Sequence, residues 1–413
     1  MTPNGSAGLR WINLVAAVLL LICTGSIYAF SVFSGPLAEL RGWSGTEVTL
    51  GFTISAALSP VPMILGGKLV DLGHARASML VGGLLFGLAF IGSGLIPSLI
   101  GFYFAYGLLG GLGAGFAYAG ALGNVIRYFP DRRGLATGLV TAGNGAAAVI
   151  MAPLAGALIA SQGVSLALFI LGAGFLAVTL LCLVVVRTAP ADYRPAGWTP
   201  PPAVVRSKAP DLDWRGMLSH PVFYVLLFIM AAGATSGLMI AANASQIGQG
   251  MFGLSATTAA VYVGLYSLSN ASGRFVWGAV SDRIGRLPSL ICIFVLVALA
   301  LFLLSQLQGS TAFLIGILGV GIAFGGIMGV FPALCIEQFG ARNFGTNYGI
   351  LFTGYSIAAL AGPRLGAAIG DAYEGNFGMA FLIATVLSLV GAAVTIAFWF
   401  YSRGQRAGVV PEK

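Results

Sequence analysis

Residues 256–286 read ATTAAVYVGLYSLSNASGRFVWGAVSDRIGR, and their reading decides the fold. The stretch is apolar enough to cross a bilayer, yet it carries Arg274 inside the apolar run and ends on Asp282, Arg283 and Arg286. On a helix, the step from Arg274 to Asp282 covers about 12 Å, and the hydrocarbon core is about 30 Å thick. Arg274 is therefore expected near mid-membrane. Arginine does not shed its proton, and a fixed cation at that depth costs at least ~2.5–3.5 kcal/mol on insertion scales. It must meet a buried carboxylate, backbone carbonyls or a polar cavity. No Asp or Glu of this chain falls at a comparable depth. That favours the cavity and marks Arg274 as functional rather than only a tether between helices.

The rest of the 413-residue chain has the same character: 58% hydrophobic and only 8% charged, with a mean hydropathy of +0.95. These values exclude a pair of soluble domains and describe a polytopic membrane protein. The first apolar run, from Trp11, is too long for a signal-peptide core and is read as a first span. Apolar runs separated by short polar turns predict twelve spans, at 11–37, 46–70, 77–96, 98–128, 134–160, 164–187, 220–249, 255–281, 288–307, 310–338, 344–370 and 376–402. Cys23, Cys182, Cys292 and Cys335 all fall in these runs and are expected as free thiols. Segment 188–219 is the one long polar stretch and holds six of the 18 prolines, so it reads as a linker.

Of the 20 Lys and Arg residues, 17 map to the linker side of these spans; Arg41, Arg274 and Arg364 do not. By the positive-inside rule both termini and the linker are expected in the cytoplasm. The net charge of +8 is then a topology signal, and no nucleic-acid partner is expected.

The chain repeats itself at an offset of 211 residues, which places Asp71 on Asp282, Gly138 on Gly349 and Asn144 on Tyr355. Two parallel six-helix halves joined by a linker are the organisation of a rocking secondary transporter. The expected fold is thus an all-α membrane protein with twelve transmembrane helices in two pseudo-symmetric bundles, 1–187 and 220–413, joined by the cytoplasmic linker 188–219.

The turn Gly278-Ala-Val-Ser-Asp282-Arg283-Ile-Gly285-Arg286, and more loosely Gly67-Lys-Leu-Val-Asp71-Leu-Gly73-His-Ala-Arg76, resembles the signature of the major facilitator superfamily. The likeness covers nearly the whole chain. It implies that Asp71, Arg76, Asp282, Arg283 and Arg286 hold a gate at the cytoplasmic helix ends. Alternatively these are solvated turn charges that only orient insertion. RYFPDRRGLATG (127–138), followed by NASGRFVWGAVSDRIGR (270–286), is similar to the bacterial oxalate–formate antiporter and monocarboxylate transporter group. In that group the arginine of the eighth span anchors a substrate carboxylate, and Arg274 occupies the matching position.

Two departures bear on the substrate. The group's exchanger has a second basic residue in the eleventh span where this chain has Tyr355, and one fixed cation suits one carboxylate. Animal lactate–proton symporters resemble this chain in the eighth span but carry an Asp four residues before the arginine. Here that position is Asn270, which shares a helix face with Arg274 but cannot take a proton. The resemblance also implies cavity roles for Tyr28, Tyr118 and Phe324. Asn144, Tyr355 and Tyr266 are further candidate contacts, each equally explicable by helix packing. Arg364 reads either as snorkelling to the outer surface beside Asp371 or Glu374, or as a second anchor.

No catalytic triad, metal-ligand cluster or phosphate loop is evident, so no enzyme, metal or cofactor is expected. The expectation is a monomeric carrier of a small monocarboxylate, of the lactate or pyruvate type, in the cytoplasmic membrane and coupled to a proton. The alternatives are a carboxylate exchanger of the oxalate–formate kind and, remotely, a membrane receptor or enzyme.

Overall fold

The computed structural model describes residues 7–190, 193–195 and 211–407. Arg206, Lys208 and Lys413, used above to orient the chain, lie outside these residues, as do the side chains of Arg406 and Asp371. The described chain is helical, and the spans come where hydropathy puts them. The first runs through Ala7–Thr24, a 3₁₀ stretch Gly25–Ala29 and Phe30–Arg41. The second is Gly45–Ala57 and Pro60–Asp71, and the third is Ala75–Leu95. The fourth joins Leu99–Phe102, a π-helical stretch Tyr103–Leu109 and Gly110–Tyr128. Arg133–Gln162 and Val164–Val185 complete the N-terminal half. The other half comprises Pro221–Gly250, Ala256–Ile284, Arg286–Gln306 and Ser310–Phe339. The eleventh span is Phe344–Leu351 followed by Thr353–Ala372, and the twelfth is Gly378–Ala407.

Local chemistry sets the ends. Ser44 and Glu47 form a reciprocal capping box at the start of the second span. Ser98 and Ser255 cap the fourth and eighth spans through their hydroxyls, and Pro221 opens the seventh at a position where no N–H is needed. Gly285 turns the chain between the eighth and ninth spans at φ +93°, a conformation that disfavours any side chain.

Among the described residues, ten helices are long and apolar enough to cross a membrane by length and composition alone. The eighth and eleventh spans fall short of that measure. They are the ones that carry Ser267, Ser269, Asn270 and Arg274, and Thr353, Tyr355, Ser356 and Arg364. Each packs against the opposite half yet keeps exposed apolar side chains, Val261, Leu268 and Val276 on the eighth and Ile357 and Leu360 on the eleventh.

Packing separates an inner from an outer set. The third span packs on the fourth and sixth, and the ninth on the tenth and twelfth; these outer helices hold their own half together. The main junctions between halves pair the second span with the eleventh and the fifth with the eighth, which are equivalent under the 211-residue repeat. All four cysteines are free thiols; Cys292 is exposed and the other three are buried.

The linker is less uniform than its prolines predict. Its last residues form a short helix, Trp214–Ser219, capped by Asp213. Asp211 accepts hydrogen bonds from Ala341 N at 3.0 Å and Arg342 N at 3.1 Å, so this end of the linker is docked on the turn between the tenth and eleventh spans.

Candidate functional site

Arg274 is 2% exposed. Its Nε donates to Asn270 Oδ1 at 3.1 Å, one turn earlier on the same helix, and its Nη1 donates to the Thr141 carbonyl at 2.9 Å on the fifth span. Among the described residues it forms no ion pair. A guanidinium has five N–H donors, so this one keeps donors free. Gly145 makes room for the arrangement: a Cβ there would stand 2.9 Å from Asn270 Oδ1 and 3.1 Å from Arg274 Nε.

A cavity of about 70 Å³ lies between the halves with Arg274 on its wall. One water needs ~10–15 Å³ of such space, so the cavity suits a solute of a few heavy atoms. Tyr28, Tyr118, Asn144 and Tyr355 share the wall with Arg274. Tyr28 Oη and Tyr355 Oη are hydrogen-bonded at 3.1 Å across the halves, and the Tyr355 ring stacks on Phe352 at 4.7 Å. Below them Ser59 Oγ meets Ser356 Oγ at 3.0 Å, again across the halves. Three chain discontinuities border the space: the 3₁₀ stretch holding Tyr28, the break before Pro60 and the break at Phe352. Each interrupts a helix where polar side chains face the cavity.

Two expected contacts are not on this wall. Tyr266 lies eight residues from Arg274, a turn of about 80° away from it around the helix. Its hydroxyl donates instead to the Gly237 carbonyl at 2.7 Å. Phe324 is 3% exposed and packs against Gly237. Both residues fasten the seventh span. Asn270 is also behind the wall rather than on it: its carbonyl oxygen is turned to Arg274. Arg364 is exposed and off the cavity wall.

The linker-side ends of the halves meet at Asp71. Its carboxylate accepts from Gly345 N at 3.1 Å, Thr346 N at 2.9 Å and Thr346 Oγ1 at 2.9 Å. These groups form the first turn of the eleventh span, so a residue of one half caps a helix of the other. Arg127 stands 3.7 Å from the same carboxylate. Gly67 permits the approach, since a Cβ there would reach within 2.9 Å of Thr346 N. The repeat mate Asp282 lies against Gly134 at the start of the fifth span and pairs with Arg286 at 2.6 Å; Arg286 also holds Glu337 at 3.0 Å. Arg76 and Arg283 are not part of this junction. Arg76 donates to the Leu183 carbonyl within its own half, and Arg283 is exposed.

The family model described as Major Facilitator Superfamily matches residues 14–251 and 239–413. The chain belongs to the major facilitator superfamily. The facilitator is 31% identical to the oxalate:formate antiporter of Oxalobacter formigenes, over 95% of this chain and 92% of that one. It is 29% identical to monocarboxylate transporter 11 of Homo sapiens, over 95% and 83%, and 25% identical to monocarboxylate transporter 10 of Danio rerio, over 98% and 80%. It is a multi-pass membrane transporter and not an enzyme.

Sequence reading of the facilitator missed Thr24, Ser55, Ser59 and Phe352, all on the cavity wall. Thr24 and Tyr28, and likewise Ser55 and Ser59, are four residues apart, the spacing that shares a face in an unbroken helix, although a helix break lies within each pair in the folded chain. Polar residues at helical spacing inside apolar runs were a usable signal. The Thr141 carbonyl carried none, because any residue supplies one. Ser55 Oγ and Asn270 Nδ2 are buried without a hydrogen-bond partner among the described residues. Such groups cost ~1–3 kcal/mol each unless water or a ligand meets them.

Proposed function

We propose that this facilitator carries small monocarboxylates, of the lactate or pyruvate type, across the cytoplasmic membrane by alternating access, in symport with a proton. The observation that carries the reading is Arg274: a buried guanidinium with no carboxylate partner among the described residues, on the wall of a small cavity otherwise walled by hydroxyl, amide and apolar side chains. One fixed cation neutralises one carboxylate. Tyr355 in the eleventh span supplies a neutral hydroxyl, which suits a carbon chain or neutral oxygen better than a second anion. Binding of the acid cancels a buried charge between the halves, and that differential stabilisation shifts the equilibrium between the two access states. Segments 1–187 and 220–413 are the rocking units, and the cation distribution puts the linker and both termini in the cytoplasm. The working unit is a monomer and needs no cofactor besides the coupling proton. No acidic side chain or histidine lines the cavity among the described residues. Arg274 therefore fixes the anion while the proton travels elsewhere.

The rival reading, obligatory exchange of carboxylates, is favoured by the 31% identity to an oxalate:formate antiporter. Uptake of labelled acids into proteoliposomes separates the two. Symport gives accumulation in vesicles that hold no internal acid, driven by an inward proton gradient. Uptake that needs internal carboxylate and ignores the gradient establishes exchange. Failure of every C2–C4 monocarboxylate to compete removes the substrate assignment.

A further inference from the structure

A second recess, of about 530 Å³, lies on the flank of the N-terminal half, away from the central cavity. It runs between the turn into the third span and the last turns of the sixth. Its floor is apolar, formed by Leu80, Leu180 and Val184, the last two 53% and 69% exposed. Its rim lies at the linker-side boundary of the apolar spans and carries His74, Arg76 and Thr188. No lining residue is acidic. Arg76 is tied to the rim by one bond, from Nη2 to the Leu183 carbonyl at 2.9 Å, and its other donors have no partner among the described residues.

The described part of the linker does not cover this groove. Arg187 N donates to Asn13 Oδ1 at 2.9 Å, Ala189 N donates to Asn124 Oδ1 at 2.8 Å, and Tyr193 packs edge-on against Tyr128 at 5.0 Å. These contacts draw the chain beyond Thr188 toward the first and fourth spans.

We propose that the groove is a binding site for an anionic phospholipid, with the phosphate on Arg76 and His74 and one acyl chain along Leu80, Leu180 and Val184. An apolar trough on a membrane-spanning flank, closed at the water boundary by cations and no acid, has the polarity profile of one lipid molecule. A soluble anion would have no use for the floor. A zwitterionic headgroup would bring its own cation against Arg76. A basic residue near the membrane surface favours an anionic lipid by about fivefold. The rim also belongs to the turn that follows Asp71, so a bound headgroup braces the segment that caps the eleventh span.

The full-length protein in detergent is titrated with phosphatidylglycerol or phosphatidylcholine of the same acyl chains. Retained lipid is counted by native mass spectrometry, and the thermal midpoint is followed in parallel. The wild type is expected to retain phosphatidylglycerol about fivefold more strongly, with a matching rise in thermal midpoint. Arg76→Gln abolishes the preference. Val184→Trp, which fills the trough and leaves the rim intact, lowers phosphatidylglycerol retention to the same level. Arg342→Ala removes an exposed cation at another linker-side turn and leaves the preference unchanged. Equal retention of the two lipids by the wild type overturns the proposal. So does a preference that survives both Arg76→Gln and Val184→Trp, or one lost equally in Arg342→Ala, which would reduce it to net charge.

Discussion

Asp71 and Thr346 are 275 residues apart in the chain, and Asp71 Oδ2 accepts both the backbone N–H and the hydroxyl of Thr346 at 2.9 Å. One half of the molecule thereby supplies the capping acceptor for the first turn of a helix in the other, and the junction breaks when the halves separate on the linker side. A charged cap also faces the positive end of the helix dipole. Asp71→Asn keeps one acceptor oxygen but loses the charge and turns an amide donor toward N–H groups. The closed junction is expected to weaken by about 1–2 kcal/mol, roughly five- to thirtyfold in the equilibrium. Distance measurements between spin labels on the linker-side ends of the second and eleventh spans check this. An unchanged distance distribution would show that the cap does not hold the junction.

Arg274→Lys preserves the charge but not the planar fork. A lysine cannot donate at once to Asn270 Oδ1, to the Thr141 carbonyl and to a bound carboxylate with the geometry seen here. Each lost hydrogen bond to a charged group is worth about 1.5–3 kcal/mol. Transport of the preferred acid is expected to fall at least tenfold, with the protein still folded by circular dichroism. Wild-type rates in this variant would remove Arg274 from the site.

Gly145→Ala tests the packing behind the arginine. The added methyl would sit 2.9 Å from Asn270 Oδ1 and 3.1 Å from Arg274 Nε, and overpacking of this kind costs about 1–3 kcal/mol. The expected result is a raised KM for the acid with insertion and yield retained. A substitution to Ala at Gly156, where a Cβ meets nothing within 4 Å, is expected to leave transport unchanged.

The Tyr28–Tyr355 hydrogen bond joins the halves over the cavity. Tyr28→Phe or Tyr355→Phe removes one neutral bond, worth about 0.5–1.5 kcal/mol. Each single variant should therefore change transport by less than about tenfold, and the double variant should cost little more than either single one. Strict additivity in that double-mutant cycle would mean that the two hydroxyls act apart.

Reading the chain in one dimension found the spans because a span depends only on local apolar length. The predicted limits of the third, sixth and tenth spans differ from the observed helices by two residues or fewer. It found Arg274 for the same reason: a fixed charge in an apolar run is conspicuous without its neighbours. Tyr266 and Phe324, left open between cavity and core, pack against the seventh span, and Ser55 and Ser59 on the wall were missed, because the rotation of a helix is set by what packs around it. The Gly237 carbonyl that takes the Tyr266 hydroxyl lies 29 residues away in sequence and leaves no trace in the eighth span.

The chain alone therefore determined that the protein crosses a membrane repeatedly, in two related halves, with a permanent cation inside. Those properties follow from hydropathy, repetition and the basicity of a guanidinium, all of them carried by single residues or short runs. Only the tertiary structure decided that Arg274 lies on a cavity wall and bonds the Thr141 carbonyl, that Asn270 steadies it from behind, and that Asp71 closes the far helix. These are relations between distant segments, and they exist only once the two halves are folded against each other.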